Sequence, residues 1–255
     1  MADLRKMPLH VNRVLFQYLA FHQAVKLHRK IRFDGIWAMM AHTCGVPASK
    51  FKQAFPEVPF LLTLQEGDPP AHIEAKMKFF KRSFNRAFTS AEMIQVISNV
   101  LGNWATAKGF ASDPVLIPNA VNTTHFMQAY TVKELQTVRT EFGVNENDVL
   151  LVTTSRLVHK NAVDDVIRAI ALLPNNIKFI IFGTGPDEIT LKELATELKV
   201  TDRIFFRGQI GHDVMPKYLK ACDIFIRPSR SEGMGNSFVE AMAAELPVIA
   251  TQEGG

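Results

Sequence analysis

The chain has 255 residues, 47% of them hydrophobic and 21% charged, which is enough apolar material for one large or two modest cores. No apolar run approaches the roughly 18 residues that cross a bilayer, and the first residues lack the order of a signal peptide, so a cytoplasmic location is expected. Cys44 and Cys222 are far apart, and neither has a second ligand at metal spacing. This argues against a disulfide framework and a zinc site, and predicts two buried thiols.

The positive charge is concentrated in the first half of the chain. Residues 1–125 hold 15 Lys and Arg against 8 Asp and Glu, a net charge of +7, whereas residues 126–255 hold 14 against 17, a net charge of −3. A basic half is compatible with nucleic acid, an anionic membrane surface or an anionic substrate as partner. Charge alone does not choose among these three.

The first half predicts helices and strands of uneven spacing. A long helix is expected over residues 11–30, strands near residues 35–39 and 60–64, and a basic helix near residues 76–86. Another helix is expected to begin at Ser98, a good N-cap, and to stop before Gly109, a good residue for the turn that follows a helix. Turn-forming residues then interrupt the pattern at 117–122 (IPNAVN), and we place the boundary between two domains, 1–123 and 124–255, just after them.

The second half is more regular, because short apolar, partly β-branched runs alternate with helical patterns. The predicted strands cover residues 149–153, 177–182, 204–206, 224–226 and 248–250. The predicted helices cover residues 163–173, 187–198, 213–221 and 237–244. Strict alternation predicts right-handed crossovers and a parallel sheet with helices on both faces, a fold in which ligands lie at the carboxyl ends of the strands.

The most informative stretch is residues 227–243, RPSRSEGMGNSFVEAMA, which is a strand end, a glycine-containing loop and a helix start in that order. The start of a helix offers unpaired backbone N–H groups and the positive end of the helix dipole, so it suits a phosphate. Gly233 and Gly235 would let a ligand approach the backbone closely. Glu232 in the loop and Glu240 in the helix could accept hydrogen bonds from sugar and ribose hydroxyls. The alternative is that Glu240 only interacts with the helix dipole and that Glu232 is solvated.

This stretch, continuing through residues 247–251 (PVIAT) and the final glycine pair, closely resembles the donor-site signature of the family 4 retaining glycosyltransferases, glycosyl transferases group 1. The resemblance implies an α/β chain of two Rossmann-like domains of the GT-B type, both incomplete. Residues 1–123 would form the acceptor side and residues 124–255 the side that binds the nucleotide sugar. It also implies a chain truncated at both ends, since no first strand and glycine-rich loop are found before Leu4, and leaves open whether this chain alone is active.

Residues 155–161, SRLVHKN, resemble the loop in which the family neutralises the donor diphosphate. The resemblance gives this role to Arg156 and Lys160, although many members have the lysine one position later, where Asn161 stands. By the same resemblance Glu232 orients the sugar and Glu240 holds the ribose hydroxyls. The anion site would be completed by further residues of the helix start, namely Gly233, Gly235, Asn236, Ser237 and Phe238.

Three further segments resemble the family more weakly. Gly183 and Gly185, in residues 182–186 (FGTGP), either contact the diphosphate or only form a tight turn. Gln65 stands where many members have a histidine that faces the sugar, which leaves its backbone amide as the expected partner. Asn119 is expected to brace its turn.

Two features of the first half allow a functional and a structural interpretation. His42 either faces a cleft between the domains or packs beside an apolar run. The second feature is a basic and aromatic series that either lies on an anionic bilayer or has a core-facing aromatic stripe and a solvated basic face. Its members are Lys76, Lys78, Lys81, Arg82 and Arg86 with Phe79, Phe80, Phe84 and Phe88.

The implied function is transfer of a hexosyl group, with retention at the anomeric carbon, from a UDP- or GDP-linked sugar to a glycan or lipid acceptor. No metal and no cofactor is expected, because the nucleotide sugar is itself the donor substrate. A peripheral contact with the inner face of an anionic membrane is one option, and nucleic acid is not an expected partner. The alternatives are another GT-B enzyme, such as a sugar-nucleotide epimerase or a phosphorylase, and a basic nucleic-acid-binding module, for which no motif is present.

Overall fold

The computed structural model describes residues 9–254, and these divide into two compact units, one running to Pro118 and one from Asn119 to Glu253. The division falls inside the turn-forming segment 117–122. The segment before Leu4, where a first strand and glycine-rich loop were sought, lies outside the described residues. Among the helices of residues 9–254, none combines the length and the apolar character needed to cross a bilayer.

The first unit is built around four parallel strands in the order β1-β2-β3-β4. Its helices and strands, in chain order, are α1 (Leu9–His28), β1 (Ile36–Met39), a π-helix (Met40–Gly45), α2 (Val46–Ala54), β2 (Phe60–Leu64), α3 (Pro70–Lys76), a 3-10 helix (Lys78–Phe80), α4 (Lys81–Thr89), β3 (Met93–Val96), α5 (Asn99–Ala107) and β4 (Val115–Leu116). Strand β2 is central, and Phe60, Leu62 and Leu64 are fully buried. Such burial favours a run of large apolar residues over alternation.

Of three local predictions for this unit, one is wrong, one is partly right and one is confirmed. The single basic helix expected over residues 76–86 is wrong, because the chain turns at Met77 and α4 begins only at Lys81. Phe84 is buried in α4, whereas Phe79 is 90% exposed on the intervening 3-10 helix. The helix expected at Ser98 does begin there, but the Ser98 hydroxyl makes no capping hydrogen bond. Gly109 ends it as predicted, with φ of +89° and hydrogen bonds of the type that closes a helix.

The second unit has five parallel strands in the order β7-β6-β5-β8-β9. Its elements are α6 (Thr123–Phe126), α7 (Val132–Glu141), β5 (Val149–Thr154), a 3-10 helix (His159–Asn161), α8 (Val163–Leu172), β6 (Ile177–Phe182), α9 (Glu188–Glu197), a 3-10 helix (Thr201–Arg203), β7 (Ile204–Phe206), α10 (Met215–Lys220), β8 (Ile224–Arg227), α11 (Asn236–Ala243) and β9 (Val248–Ala250). The predicted alternation of strands and helices is confirmed, and β6, β7 and β9 have the predicted bounds. The fold class, α/β with Rossmann-like parallel sheets, is confirmed as well.

Side chains of the central strands alternate between two apolar cores. Phe179 and Ile181 of β6 pack with helices α8 and α9, while Ile180 and Phe182 pack with α7, α10 and α11 on the other face. The strand order reverses at β5: β6 and β7 follow it on one side, and β8 and β9 on the other. In open parallel sheets, such a reversal leaves a crevice at the carboxyl ends of the strands, where ligands bind.

Candidate functional site

The second unit has a pocket of about 420 Å³ at this crevice. Its wall is formed by residues 154–156 after β5, residues 182–184 after β6, residues 209–210 after β7, and Met215, Ser237 and Glu240 from α10 and α11. Four sequence-predicted site residues line it together, namely Arg156, Gly183, Ser237 and Glu240. Gln65 belongs to the first unit, and the other predicted residues lie in the neighbouring loops without lining the pocket.

The loop after β5 presents one cation to the pocket. Arg156 is exposed, and its carbonyl oxygen accepts a hydrogen bond of 2.6 Å from the side-chain amide of the buried Asn161. Lys160 lies in the short 3-10 helix, where its carbonyl accepts from the Arg230 amide at 2.7 Å. Of the two cations expected on an anionic ligand, only Arg156 lines the pocket, and the role of Lys160 stays a prediction.

Gly183 and Gly185 let the loop after β6 lie directly against the loop after β5. A Cβ at Gly183 would overlap the Ser155 carbonyl oxygen, and one at Gly185 would overlap the Leu157 carbonyl oxygen. Gly183 also has a φ of +144°, a backbone angle that residues with a side chain rarely adopt. Close packing of the two loops therefore explains why both positions are glycine, and Gly183 in addition lines the pocket.

The loop before α11 is organised around a buried cation that the sequence analysis missed. Arg227, at the end of β8, forms an ion pair with Glu232 and donates to the hydroxyls of Ser237 at 2.7 Å and Ser229 at 3.2 Å. Its guanidinium carbon lies 4.2 Å from the centre of the Phe238 ring. Burial lowers the pKa of Arg227, and the Glu232 carboxylate opposes that shift. Glu232 is thus not a solvated loop residue.

The ion pair between Arg227 and Glu232 gives a structural role to residues that were predicted to contact a ligand. A Cβ at Gly235 would overlap the Arg227 guanidinium, so the lack of a side chain there makes room for the pair. The amide of Gly233 donates to Glu232 Oε1 at 3.0 Å, and the amide of Phe238 donates to the Gly235 carbonyl at 3.1 Å. Ligand contacts by these three residues stay predictions. Asn236 and Ser237 begin α11, and the first N–H groups of a helix have no acceptor within that helix.

Glu240 of α11 lies beside the loop that follows β7. Its side chain is 16% exposed, and its Oε1 atom lies 3.5 Å from Nε2 of His212 in that loop. Neither His212 nor its neighbour His125 could be connected with Glu240 from the sequence, because residues 125, 212 and 240 are brought together only by the fold.

The side chains of Arg230 and Asn119 connect segments around the pocket through hydrogen bonds. Arg230 forms a two-point ion pair with Asp164 at the start of α8, at 2.9 and 2.8 Å, and donates to the His159 carbonyl at 2.7 Å. This contact lowers the pKa of the Asp164 carboxyl. Asn119 donates to the Met234 carbonyl at 2.9 Å and so contacts the loop before α11; that it braces its own turn stays a prediction. The sequence gives no sign of the Arg230 pair, since its partners are 66 residues away.

In the first unit, Gln65 is half-buried immediately after β2, and the next residue, Glu66, is only 3% exposed. Glu66 Oε1 accepts from the Ala41 amide at 2.7 Å and lies 3.7 Å from His42 Nδ1. Gln17 donates to the His42 carbonyl at 2.8 Å. These contacts agree with the interpretation in which His42 packs against its neighbours within the first unit.

Within residues 9–254 no group of three or more His, Cys, Asp and Glu is arranged to hold a metal ion. The two cysteines are unlinked: Cys222 is buried and Cys44 is half-buried. The expectation of two buried thiols is therefore right for Cys222 and only partly right for Cys44. Burial raises the pKa of both thiols.

The residues that form this pocket lie in a stretch that a known family shares. Residues 136–255 match the family model Glycosyl transferases group 1. All the pocket-lining segments fall inside that stretch, whereas Gln65 falls outside it.

Relatives extend the likeness to both units. The chain is 30% identical over 223 residues to the putative teichuronic acid biosynthesis glycosyltransferase TuaC of Bacillus subtilis, covering 87% of this chain and 54% of that protein. It is 28% identical over 248 residues to the GDP-mannose-dependent monoacylated alpha-(1-6)-phosphatidylinositol monomannoside mannosyltransferase of Corynebacterium glutamicum, covering 92% of this chain and 62% of that protein. The chain thus spans between half and two thirds of the length of these relatives.

Solved structures share the fold. Anabaena Alr3699/HepE, determined in complex with UDP and glucose, matches with a TM-score of 0.78 and 22% identity over 92% of this chain and 63% of that chain. Sucrose-phosphate synthase from Thermosynechococcus elongatus matches with a TM-score of 0.79 and 20% identity over 98% of this chain and 63% of that chain. These GT-B neighbours agree with two Rossmann-like parallel sheets.

Proposed function

We propose that this chain is part of a retaining glycosyltransferase of family 4, and that its second unit binds a nucleotide-diphosphate sugar. The observation that carries the proposal is the pocket at the strand-order reversal, where Arg156, the start of α11 and Glu240 meet. A cation and a helix start suit a diphosphate, and a carboxylate suits the hydroxyls of a ribose. The domain assignment, 1–123 for the acceptor side and 124–255 for the donor side, is part of this proposal.

The proposed reaction breaks the bond between the anomeric carbon and the diphosphate oxygen while an acceptor hydroxyl attacks from the same face of the sugar. Arg156 and the Asn236 and Ser237 amides stabilise the negative charge that builds on the leaving diphosphate, with Lys160 as a second cation of the loop. The departing diphosphate takes up the proton of the acceptor hydroxyl. No metal ion has a part in the proposed step.

Glu232 is given the role of orienting the transferred sugar. Its ion pair with Arg227 stabilises the position of the carboxylate, which suits an acceptor of hydrogen bonds from sugar hydroxyls. Both carboxylate oxygens already accept hydrogen bonds within the loop, one from Arg227 and one from the Gly233 amide. Attack by the acceptor hydroxyl itself therefore agrees better with the site than a covalent intermediate on Glu232.

The names of the relatives support the substrate class. The Corynebacterium glutamicum relative is named for GDP-mannose and a phosphatidylinositol mannoside, and another relative, from Acholeplasma laidlawii, is an alpha-monoglucosyldiacylglycerol synthase, 28% identical over 139 residues. We propose a hexose carried on UDP or GDP as donor and a glycan or lipid as acceptor. A cytoplasmic enzyme that reaches its acceptor at the inner face of the membrane is consistent with the exposed cations Lys78, Lys81 and Arg82.

The donor site is tested by thermal unfolding of the chain with UDP, GDP, ADP and inorganic phosphate, in the unchanged chain and in three variants. We expect one nucleoside diphosphate to raise the Tm, and expect Arg156→Ala and Glu240→Gln to abolish the increase. Glu197→Gln, an exposed carboxylate on α9, is the matched control and should keep it. A folded chain that no nucleotide stabilises would contradict the proposal, and stabilisation by phosphate alone would favour a phosphorylase.

A further inference from the structure

Two histidines from separate segments lie face to face at the edge of the pocket. His125 lies in the short helix α6 and His212 lies in the loop after β7; their ring centres are 5.1 Å apart and the rings are only 13° from parallel. His212 also contacts the edge of the buried Phe126 ring, at 5.3 Å and 87°. The position of the His212 ring is thus set by two aromatic neighbours, although 67% of its side chain is exposed.

Hydrogen bonds fix the position of the His125 ring. Its Nε2 lies 2.8 Å from the His212 carbonyl oxygen, which can only accept, and its Nδ1 lies 3.2 Å from the amide nitrogen of Gln128. His125 thus contacts His212 at two points, the backbone carbonyl and the ring.

The result is that His212 Nε2 is directed at Glu240, 3.5 Å from Oε1. The Glu240 side chain is only 16% exposed, and its carboxylate also interacts with the charge of Arg227 at the end of β8. One loop wall of the pocket is thus joined to the helix wall through a histidine and a carboxylate.

We propose that His212, held by His125, is a positioning residue that engages one oxygen of Glu240 and so directs the other oxygen to the hydroxyls of a ribose. This inference rests on the proposed function, because it assumes a nucleotide in the pocket. An ionised, oriented carboxylate accepts from a ribose hydroxyl, and a 2′-deoxyribose lacks one of the two hydroxyls that it can bind. His212 therefore increases the preference for ribonucleotides over deoxyribonucleotides.

The experiment is isothermal titration of the chain with the nucleoside diphosphate that stabilises it and with its 2′-deoxy analogue. His212→Ala should weaken binding of the ribonucleotide by about two- to fivefold and bring the two affinities closer together. His212→Gln, whose amide nitrogen occupies the place of Nε2, should restore the preference for ribose. The control His72→Gln replaces an exposed histidine of the first unit and should leave every value unchanged.

The outcomes separate this inference from the function on which it rests. If no nucleoside diphosphate binds the unchanged chain, the proposed function fails. If nucleotides bind, but His212→Ala keeps the ribose preference, the positioning role is refuted and the donor site stands.

Discussion

Replacement of Glu232 by alanine should destabilise the second unit as well as abolish any role in catalysis. The change leaves Arg227, only 6% exposed, without its carboxylate partner. Removing one partner of a buried ion pair typically costs about 3–5 kcal/mol, because the remaining charge is buried and unpaired. Arg227 would keep the Ser229 and Ser237 hydroxyls and the Phe238 ring, so we expect a loss near the lower end, about 3 kcal/mol.

The free energy of unfolding is measured by urea titration of the unchanged chain, Glu232→Ala, Arg227→Met and the double variant. The double variant should lose less stability than the sum of the two single variants, because it leaves no unpaired charge. The control is Glu240→Gln, which keeps the shape of a carboxylate whose partner His212 is exposed, and it should change stability by less than about 0.5 kcal/mol. Equal stability of Glu232→Ala and the unchanged chain, or strict additivity, would refute the reasoning.

Two other substitutions test how the loops are held. Gly185→Ala would force the loop after β6 away from the Leu157 carbonyl, so it should lower the free energy of unfolding by about 1–3 kcal/mol and weaken nucleotide binding. The control Gly102→Ala lies in the interior of α5, where a Cβ has room, and should be neutral or stabilising. Arg203 is buried and donates to four backbone carbonyls between the last turn of α8 and the start of β6, those of Ile170, Leu173, Pro174 and Ile177. Arg203→Ala should therefore lower the free energy of unfolding in urea by about 2–4 kcal/mol. The control Arg168→Ala replaces an exposed arginine of α8 and should lower it by less than about 0.5 kcal/mol. Similar values for each variant and its control would contradict these assignments.

The second unit could be predicted from sequence because its strands are short apolar runs between helical patterns. Strands β6 and β7 were bounded correctly since both are short, mainly apolar runs, with Lys178 the one charged residue of β6, and such runs are typical of buried parallel strands. Helix α7 was missed although Thr131 and Glu134 form a capping box at its start, a signal that the sequence does contain.

In the first unit, the elements that the sequence did not predict include the π-helix and helix α2. Gly45 ends the π-helix at a tight contact with the Ala87 side chain, and Pro47 lies in the first turn of α2, where a proline is tolerated. Strand β4 has only two residues, too few for a periodic pattern.

The candidate site was predicted only in part, because some of its residues are brought together only by the fold. The strand, loop and helix pattern of residues 227–243 indicated Glu240, whereas Arg156 and Ser237 were assigned through the resemblance to the family. The sequence does not reveal that Arg227 is buried against Glu232, since that pairing depends on how the loop folds back on β8. Residues whose role is to hold other residues have no local pattern of their own.

The most direct test of the central claim is a crystal structure of the chain with the nucleoside diphosphate that stabilises it. The account predicts the diphosphate within hydrogen-bond distance of Arg156 and the first amides of α11, and the ribose hydroxyls beside Glu240. A nucleotide bound elsewhere on the chain, with the pocket after β5 and β6 empty, would contradict it.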